Sequence, residues 1–416
     1  MTPDPITRLV RRNLCTGCGV CAGLAPAHIR MVEDREQGRR PVVDDTPAAR
    51  AAARQALSAC AGKGADFTPL PRHDATDQIW GPVLAIWEGW ATDPDLRHRG
   101  ASGGVASALS LFALTTGAVQ AVAHTAAHRD DPRRTETRLS TDRAGLLGGA
   151  GSRYAQSSPG EVIARLTAPT LVTGKPCDVA SLCLARSRDA DLARKVPLML
   201  AIFCAGTPTL AATDRLLRRL GLPPGARLTG LRYRGAGWPG LMQAWWEKDG
   251  KTVTSPGIAY AEGWGGLLQD SRRWRCRICA DHTGAFADIS VGDPWHAPPV
   301  GNTDAGRSLI IARSPAGLAL ITAAIAAGAI AATPRPRDII DKAQPNLRAT
   351  QGALWGRRLA MRLMGLPVPA DRGLPLFALW RALTARQKAQ SLFGTARRIL
   401  TQRLWSAVVI TARRDP

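Results

Sequence analysis

The stretch "CTGCGVC", Cys15 to Cys21, constrains the chain more than any other: three thiols at a fixed interval of three, with Gly17 and Gly19 between them. A C-x2-C-x2-C loop wraps three ligands around one cubane cluster, and a remote thiol closes the site. In ferredoxins with two such motifs, the Cys before proline serves the other cluster and not its own. Here Ala25 stands before Pro26, so the loop Cys15, Cys18, Cys21 predicts a single 4Fe-4S cluster closed by Cys60 of "ALSACAGKG". The same four thiolates would also suit a zinc knuckle.

The remaining cysteines form a second pattern. Cys276 and Cys279 make a CxxC, while Cys177 and Cys204 sit just past the ends of apolar runs, where an α/β sheet presents ligands and catalysts. These four suit a second 4Fe-4S cluster, although the CxxC alone reads equally well as a redox dithiol. Cys183, six residues beyond Cys177, reads as a small buried hydrophobe. Nine thiols in such spacings, behind a start without an apolar secretory run, point to metal or redox work in the cytoplasm and not to a disulfide framework.

A chain of 416 residues exceeds what one hydrophobic core organises, and 45% hydrophobic with 21% charged residues speaks against both disorder and a polytopic membrane protein. The formal charge of +22 suits anionic partners. Its arginines are scattered along the whole chain and no nucleic-acid motif accompanies them, so no nucleic-acid partner is expected.

The predicted fold class is α/β (α+β), in four parts. Residues 1–75 form a small ferredoxin-like N-terminal module, and "GADFTPLPRHDATDQIWGP" reads as a linker. Residues 76–180 and 181–337 build a central mixed-sheet domain, in which "ASALSLFALTTG" is a helix and "AVAHTAA", "PTLVTG", "PLMLAIFCAG", "ADISVGD" and "SLIIARS" are strands. "MQAWWEKDGKTVTS" predicts a hairpin turning at Asp249-Gly250. The uncharged run Ser314 to Thr333 is long enough to raise the question of a membrane span, but its Ala/Gly composition predicts a helix packed on the sheet.

Residues 338–416 form a basic helical tail. There Leu383, Leu392, Ile399, Leu400, Leu404 and Val408 interleave with Arg386, Lys388, Arg397, Arg398 and Arg403. The pattern predicts a helix packed on the protein body or a second subunit, with peripheral contact to an anionic bilayer as the alternative.

Two glycine-containing stretches read as phosphate cradles. "RGASGGVASAL" puts Ser102, Gly103 and Gly104 at a helix start, where free N–H groups attract anions. "GGAGSRYAQS" offers Ser152, Arg153 and Tyr154 after a glycine turn. Neither matches a Walker or Rossmann pattern, and a plain helix cap is the competing reading.

In this order, "LCTGCGVC", "ASGGVASAL", "GSRYAQ", "GKPCDVA", "FCAGTP" and "CRICADHTGAFADISVGD" make the chain resemble the coenzyme F420 hydrogenase/dehydrogenase beta-subunit family, over about residues 10 to 335. The resemblance implies a flavin- and iron-sulfur-dependent oxidoreductase whose relatives act on the deazaflavin F420 or on chlorophyll intermediates. It implies FAD on the two cradles, and it supports Cys177, Cys204, Cys276 and Cys279 as cluster ligands. Lys175, Asp281, His282 and Asp293 become candidates for catalysis or proton delivery, Asp288 for a flavin contact, and Trp274 and Trp295 for shielding the cofactors. Expected partners are a ferredoxin-like electron carrier or F420, and a small-molecule substrate. The chain is expected to act alone, as a homo-oligomer or as an electron-transfer subunit of a larger complex. The rival from another class is a metal-binding nucleic-acid scaffold.

Overall fold

The computed structural model describes residues 3–74 and 76–410. Its centre is one eight-stranded sheet: β1 Ala85–Ala91, β2 Ala121–Ala127, β3 Thr135–Ser140, β4 Thr170–Gly174, β5 Leu198–Ile202, β6 Ile289–Gly292, β7 Ser308–Ala312 and β8 Ile330–Pro334. The spatial order is β8-β1-β7-β6-β5-β4-β2-β3. β2, β4, β5 and β6 run parallel in the middle, and antiparallel pairs flank them on both sides.

Parallel strands are covered on both faces, so they read as unbroken apolar runs such as "LMLAI" in β5. The period of two still sorts the side chains. Leu198 and Leu200 join one core, with Val105, Leu109, Ile310 and Ile321, while Met199 and Ala201 join the other, with Val20, Val172 and Val179. Helices Val105–Thr115 and Pro315–Ala326 supply the first layer, and helix Pro176–Arg186 the second.

The N-terminal part has helices Pro5–Arg11, Val20–Leu24 and Pro47–Ala56 beside a hairpin of Ile29–Asp34 and Gly38–Val43. It shares its core with the central sheet. Cys18, Val20, Ala59 and Phe67 lie in the same core as β4 and β5, and a Cβ on Gly19 or Gly23 would collide with residues 158–163. The expected linker is likewise packed: Phe67 and Trp80 are buried, and the Trp80 carbonyl accepts from Arg313. The division at 180/181 falls inside helix Pro176–Arg186.

The hairpin at Asp249-Gly250 forms as expected, with Lys248 opposite Lys251 and both turn residues at positive φ. Ser314 to Thr333 is a correction. Ser314 caps helix Pro315–Ala326, Gly328 at φ 70 turns the chain, and the remainder becomes edge strand β8. Among the described residues no helix is long and apolar enough to cross a membrane.

The tail is helical, ending in Ala385–Thr401 with a Thr384/Gln387 capping box. That helix packs on Leu354–Leu363 through Ser391, Thr395 and Ile399. Of the apolar set expected to face inward, Ile399 alone is fully buried, and Leu400 is exposed.

Candidate functional site

A cavity of about 300 Å³ opens where the parallel strands end, the place where open α/β sheets bind ligands. Its wall takes Ser102, Gly104 and Val105 from one loop, Gly151 to Ala155 from a second, Lys175 after β4, Cys204 after β5 and Asp293 after β6.

The first expected cradle lies at a helix start. Gly104, at φ 72, precedes helix Val105–Thr115, and no side chain caps the helix N-terminus. Its free N–H groups border the cavity, as an anion site requires. Gly103 stands behind the wall and donates to Ser308 Oγ at 3.2 Å, while Ser102 Oγ meets the same hydroxyl at 2.9 Å. A Cβ on Gly104 would come within 2.3 Å of the Leu96 carbonyl oxygen. Gly104→Ala is therefore expected to shift the cradle and, should this site hold a phosphate-bearing ligand, to weaken its binding at least tenfold, about 1.4 kcal/mol, read by ligand titration.

The second cradle is partly committed to the fold. Ser152 and Tyr154 line the cavity, but Arg153 donates to the Leu231 carbonyl at 2.8 Å and to the Pro132 carbonyl. Its positive charge stays beside the cavity, with both terminal nitrogens bonded to backbone.

Tyr154 belongs to an aromatic wall that sequence reading missed. Trp264 lies 4.8 Å from its ring, Tyr260 stacks on Trp295 at 5.5 Å, and the Arg234 guanidinium lies over both Tyr260 and Trp295. Arg234 also grips Asp293 with two hydrogen bonds of 2.7 and 2.8 Å, and Trp238 Nε1 adds a third at 3.0 Å. Asp293 is thus a fixed anchor whose oxygens are engaged. The only signal for Tyr260 and Trp264 was their four-residue spacing in "YAEGW", which equally suits a core stripe.

Lys175 stands at the junction of cavity and thiols. Its Nζ donates to Asp178 at 2.6 Å and to Ser157 Oγ at 2.7 Å. Burial works against the ammonium, but Asp178 and Cys177 outweigh it and hold the pKa above the ordinary lysine value. Lys175 is a fixed positive charge, not a group poised to lose its proton near neutrality.

The eight expected thiols form two groups. Cys15, Cys18, Cys21 and Cys60 line one small pocket and sense one another's charge. Cys177, Cys204, Cys276 and Cys279 likewise sense one another's charge, with Cys204 in the cavity wall. Burial pushes Cys60 and Cys204 up to about 12 and Cys279 up to about 11. Burial opposes ionisation of Cys276 too, but Arg273 prevails and lowers it. Thiols collected in one place, most of them kept from ionising by burial, fit a metal centre whose positive charge deprotonates its ligands.

Among the described residues no three His, Cys, Asp or Glu side chains stand close enough to hold a single metal ion. A cubane instead places each thiolate on a different iron corner. Cys183 is half-buried against the core and outside both groups.

Helix Pro176–Arg186 joins the two groups. Cys177 is in its first turn, and one turn later Ser181 Oγ accepts from the Ala61 N–H at 3.0 Å and hydrogen-bonds Cys18. Arg273 and Arg275 lie between the groups, donating to the carbonyls of Thr16 and Ala61.

Besides Gly103, three expected site residues do not reach the cavity. The Asp281 carboxylate accepts from the N–H groups of Thr283, Gly284 and Ala285, shaping the loop after the CxxC. His282 Nδ1 donates to the Cys204 carbonyl at 2.9 Å, its Nε2 is buried without a partner, and burial pushes its pKa down to about 4. Asp288 lies at the opposite end of β6, where it accepts from the Met199 N–H at 2.8 Å and the Ser314 hydroxyl at 2.7 Å. It staples strand to helix. Trp295 does line the cavity, whereas Trp274 is buried with Leu14, Ile278 and Met361.

The model for the N-terminal part of the coenzyme F420 hydrogenase/dehydrogenase beta subunit matches residues 86–164, and the model for its C-terminal part matches residues 169–338. The chain belongs to this beta-subunit family. A solved chain from the F420-reducing [NiFe] hydrogenase complex of Methanosarcina barkeri, derivatised with xenon, is 19% identical over 68% of this chain and 96% of that one, with a TM-score of 0.47. Among curated proteins none matches. The beta-subunit models take in the cavity and the inner thiol group, Cys177 to Cys279, but neither Cys15 to Cys60 nor the helical tail.

Proposed function

We propose that this member of an oxidoreductase subunit family is an iron-sulfur flavoprotein, with FAD in the cavity and a 4Fe-4S cluster on each thiol group. The observation that carries the reading is a shared wall: Lys175 and Cys204 line the cavity, and Cys204 and the neighbouring Cys177 belong to the inner group. Bound there, a flavin supplies two-electron hydride chemistry and clusters supply one-electron steps, so together they couple a hydride carrier to a one-electron carrier.

This chain's residues supply the surroundings. The N–H groups of Gly104 and Val105, at the uncapped helix start, would hold the dinucleotide phosphates, with the Ser102 and Ser152 hydroxyls nearby. The rings of Tyr154, Tyr260, Trp264 and Trp295 exclude water from one side, and Arg234 fixes that wall through Asp293. Lys175, Arg273 and Arg275 place positive charge around the inner thiolates, which favours the reduced, more negative state of a cluster held there. The N-terminal thiol group is the outer port for a ferredoxin-like carrier, and F420 or an organic small molecule is the two-electron partner.

Analysis of anaerobically purified chain tests the proposal. About eight irons with matching acid-labile sulfide and one flavin per chain are expected. A colourless protein holding zinc overturns it. Turnover of the chain alone with artificial electron donors would mark a self-sufficient enzyme, and turnover only after addition of other subunits would mark an electron-transfer component.

A further inference from the structure

The last helix is amphipathic in the unexpected direction. It buries two hydroxyl residues, Ser391 and Thr395, and turns Phe393 and Leu400 to solvent at 74% and 57% exposure. Ala389, Phe393, Ala396 and Leu400 follow one another at steps of four, three and four, the spacing of a single helical stripe. Exposed Arg386 and Arg397 share that outward side.

In the same C-terminal part of the chain, Leu363, Trp405 and Val409 are 77%, 51% and 75% exposed. Of nine exposed large hydrophobic residues among those described, six fall between Leu363 and Val409, which is a concentration and not a scatter. Residues 372–410 carry seven Lys or Arg and no Asp or Glu.

We infer that this face is a docking surface for an anionic lipid bilayer. Aromatic and aliphatic side chains between arginines suit the boundary of acyl chains and headgroups, with the guanidinium groups reaching the lipid phosphates. A second copy seated on the same surface would bring Arg386 and Arg397 of both copies together, and the segment holds no acid to pair with them. Since no described helix is long and apolar enough to span, the contact is peripheral. The inference is independent of the redox reading, and its test needs no cofactor chemistry.

Co-sedimentation of the full chain with vesicles decides it. The chain is expected to pellet with mixed phosphatidylcholine and phosphatidylglycerol, to stay in solution with phosphatidylcholine alone, and to be released by salt. The pair Phe393→Glu/Leu400→Glu and the pair Arg386→Glu/Arg397→Glu should each weaken binding at least about tenfold. Both pairs are exposed, so thermal unfolding by circular dichroism should be unchanged. Failure of the unaltered chain to bind the mixed vesicles overturns the inference, as does full binding by the Phe393/Leu400 variant. A dimer that this variant dissolves, with no vesicle binding, assigns the face to a second copy and also overturns it.

Discussion

Cys279→Ser is expected to remove about half of the iron and sulfide from the purified chain, because the inner group loses one of four thiolates while Cys15, Cys18, Cys21 and Cys60 are untouched. Cys60→Ser should remove the other half. Cys183→Ser should change neither, since that thiol belongs to neither group. Iron and sulfide analysis beside the visible spectrum reads all three, and equal losses from Cys183→Ser would mean that the thiols are wrongly grouped. On the proposed reading, loss of either cluster should interrupt transfer between the one-electron carrier and flavin while sparing flavin reduction by a hydride donor.

The second large effect is expected at the Arg234–Asp293 pair. Arg234 is 3% exposed at its side chain and Asp293 19%. Asp293→Ala leaves the guanidinium buried without its anion, and breaking a buried pair from one side costs about 3–5 kcal/mol. Urea unfolding should show a loss of that size, and on the proposed reading flavin retention should weaken too, as the guanidinium over Tyr260 and Trp295 loses its anchor. Arg234→Met/Asp293→Leu, which removes both charges, should recover much of the stability. If the single and double variants are equally unstable, the pair contributes little through its charges.

The parts that could be read from the sequence are those written in local periodicity or in fixed spacing. β2, β4 and β5 announce themselves as apolar runs, the Asp249-Gly250 turn as a dipeptide that accepts positive φ, and the N-terminal thiol group by the interval of three in Cys15, Cys18 and Cys21. What stayed hidden depends on contacts between distant segments. Nothing near Arg234 shows that it will meet Asp293, 59 positions away. Asp288 and Asp293 stand in one short motif at opposite ends of β6, one stapling the fold and the other anchoring the cavity wall. The run after Ser314 was apolar throughout, and the place of its turn depended on Gly328 and on the free edge of β1. In the last helix Ile399 faces inward as expected, but packing on Leu354–Leu363 also takes Ser391 and Thr395 and leaves Phe393 and Leu400 outside.

Helix Pro176–Arg186 carries a consequence for control. It touches the inner thiols through Cys177 and the outer ones through Ser181, four residues on, and a helical turn advances by 5.4 Å. Were the proposed clusters bound, hydrogen bonds within that rod would hold their interval, and control would fall to access at the two ends.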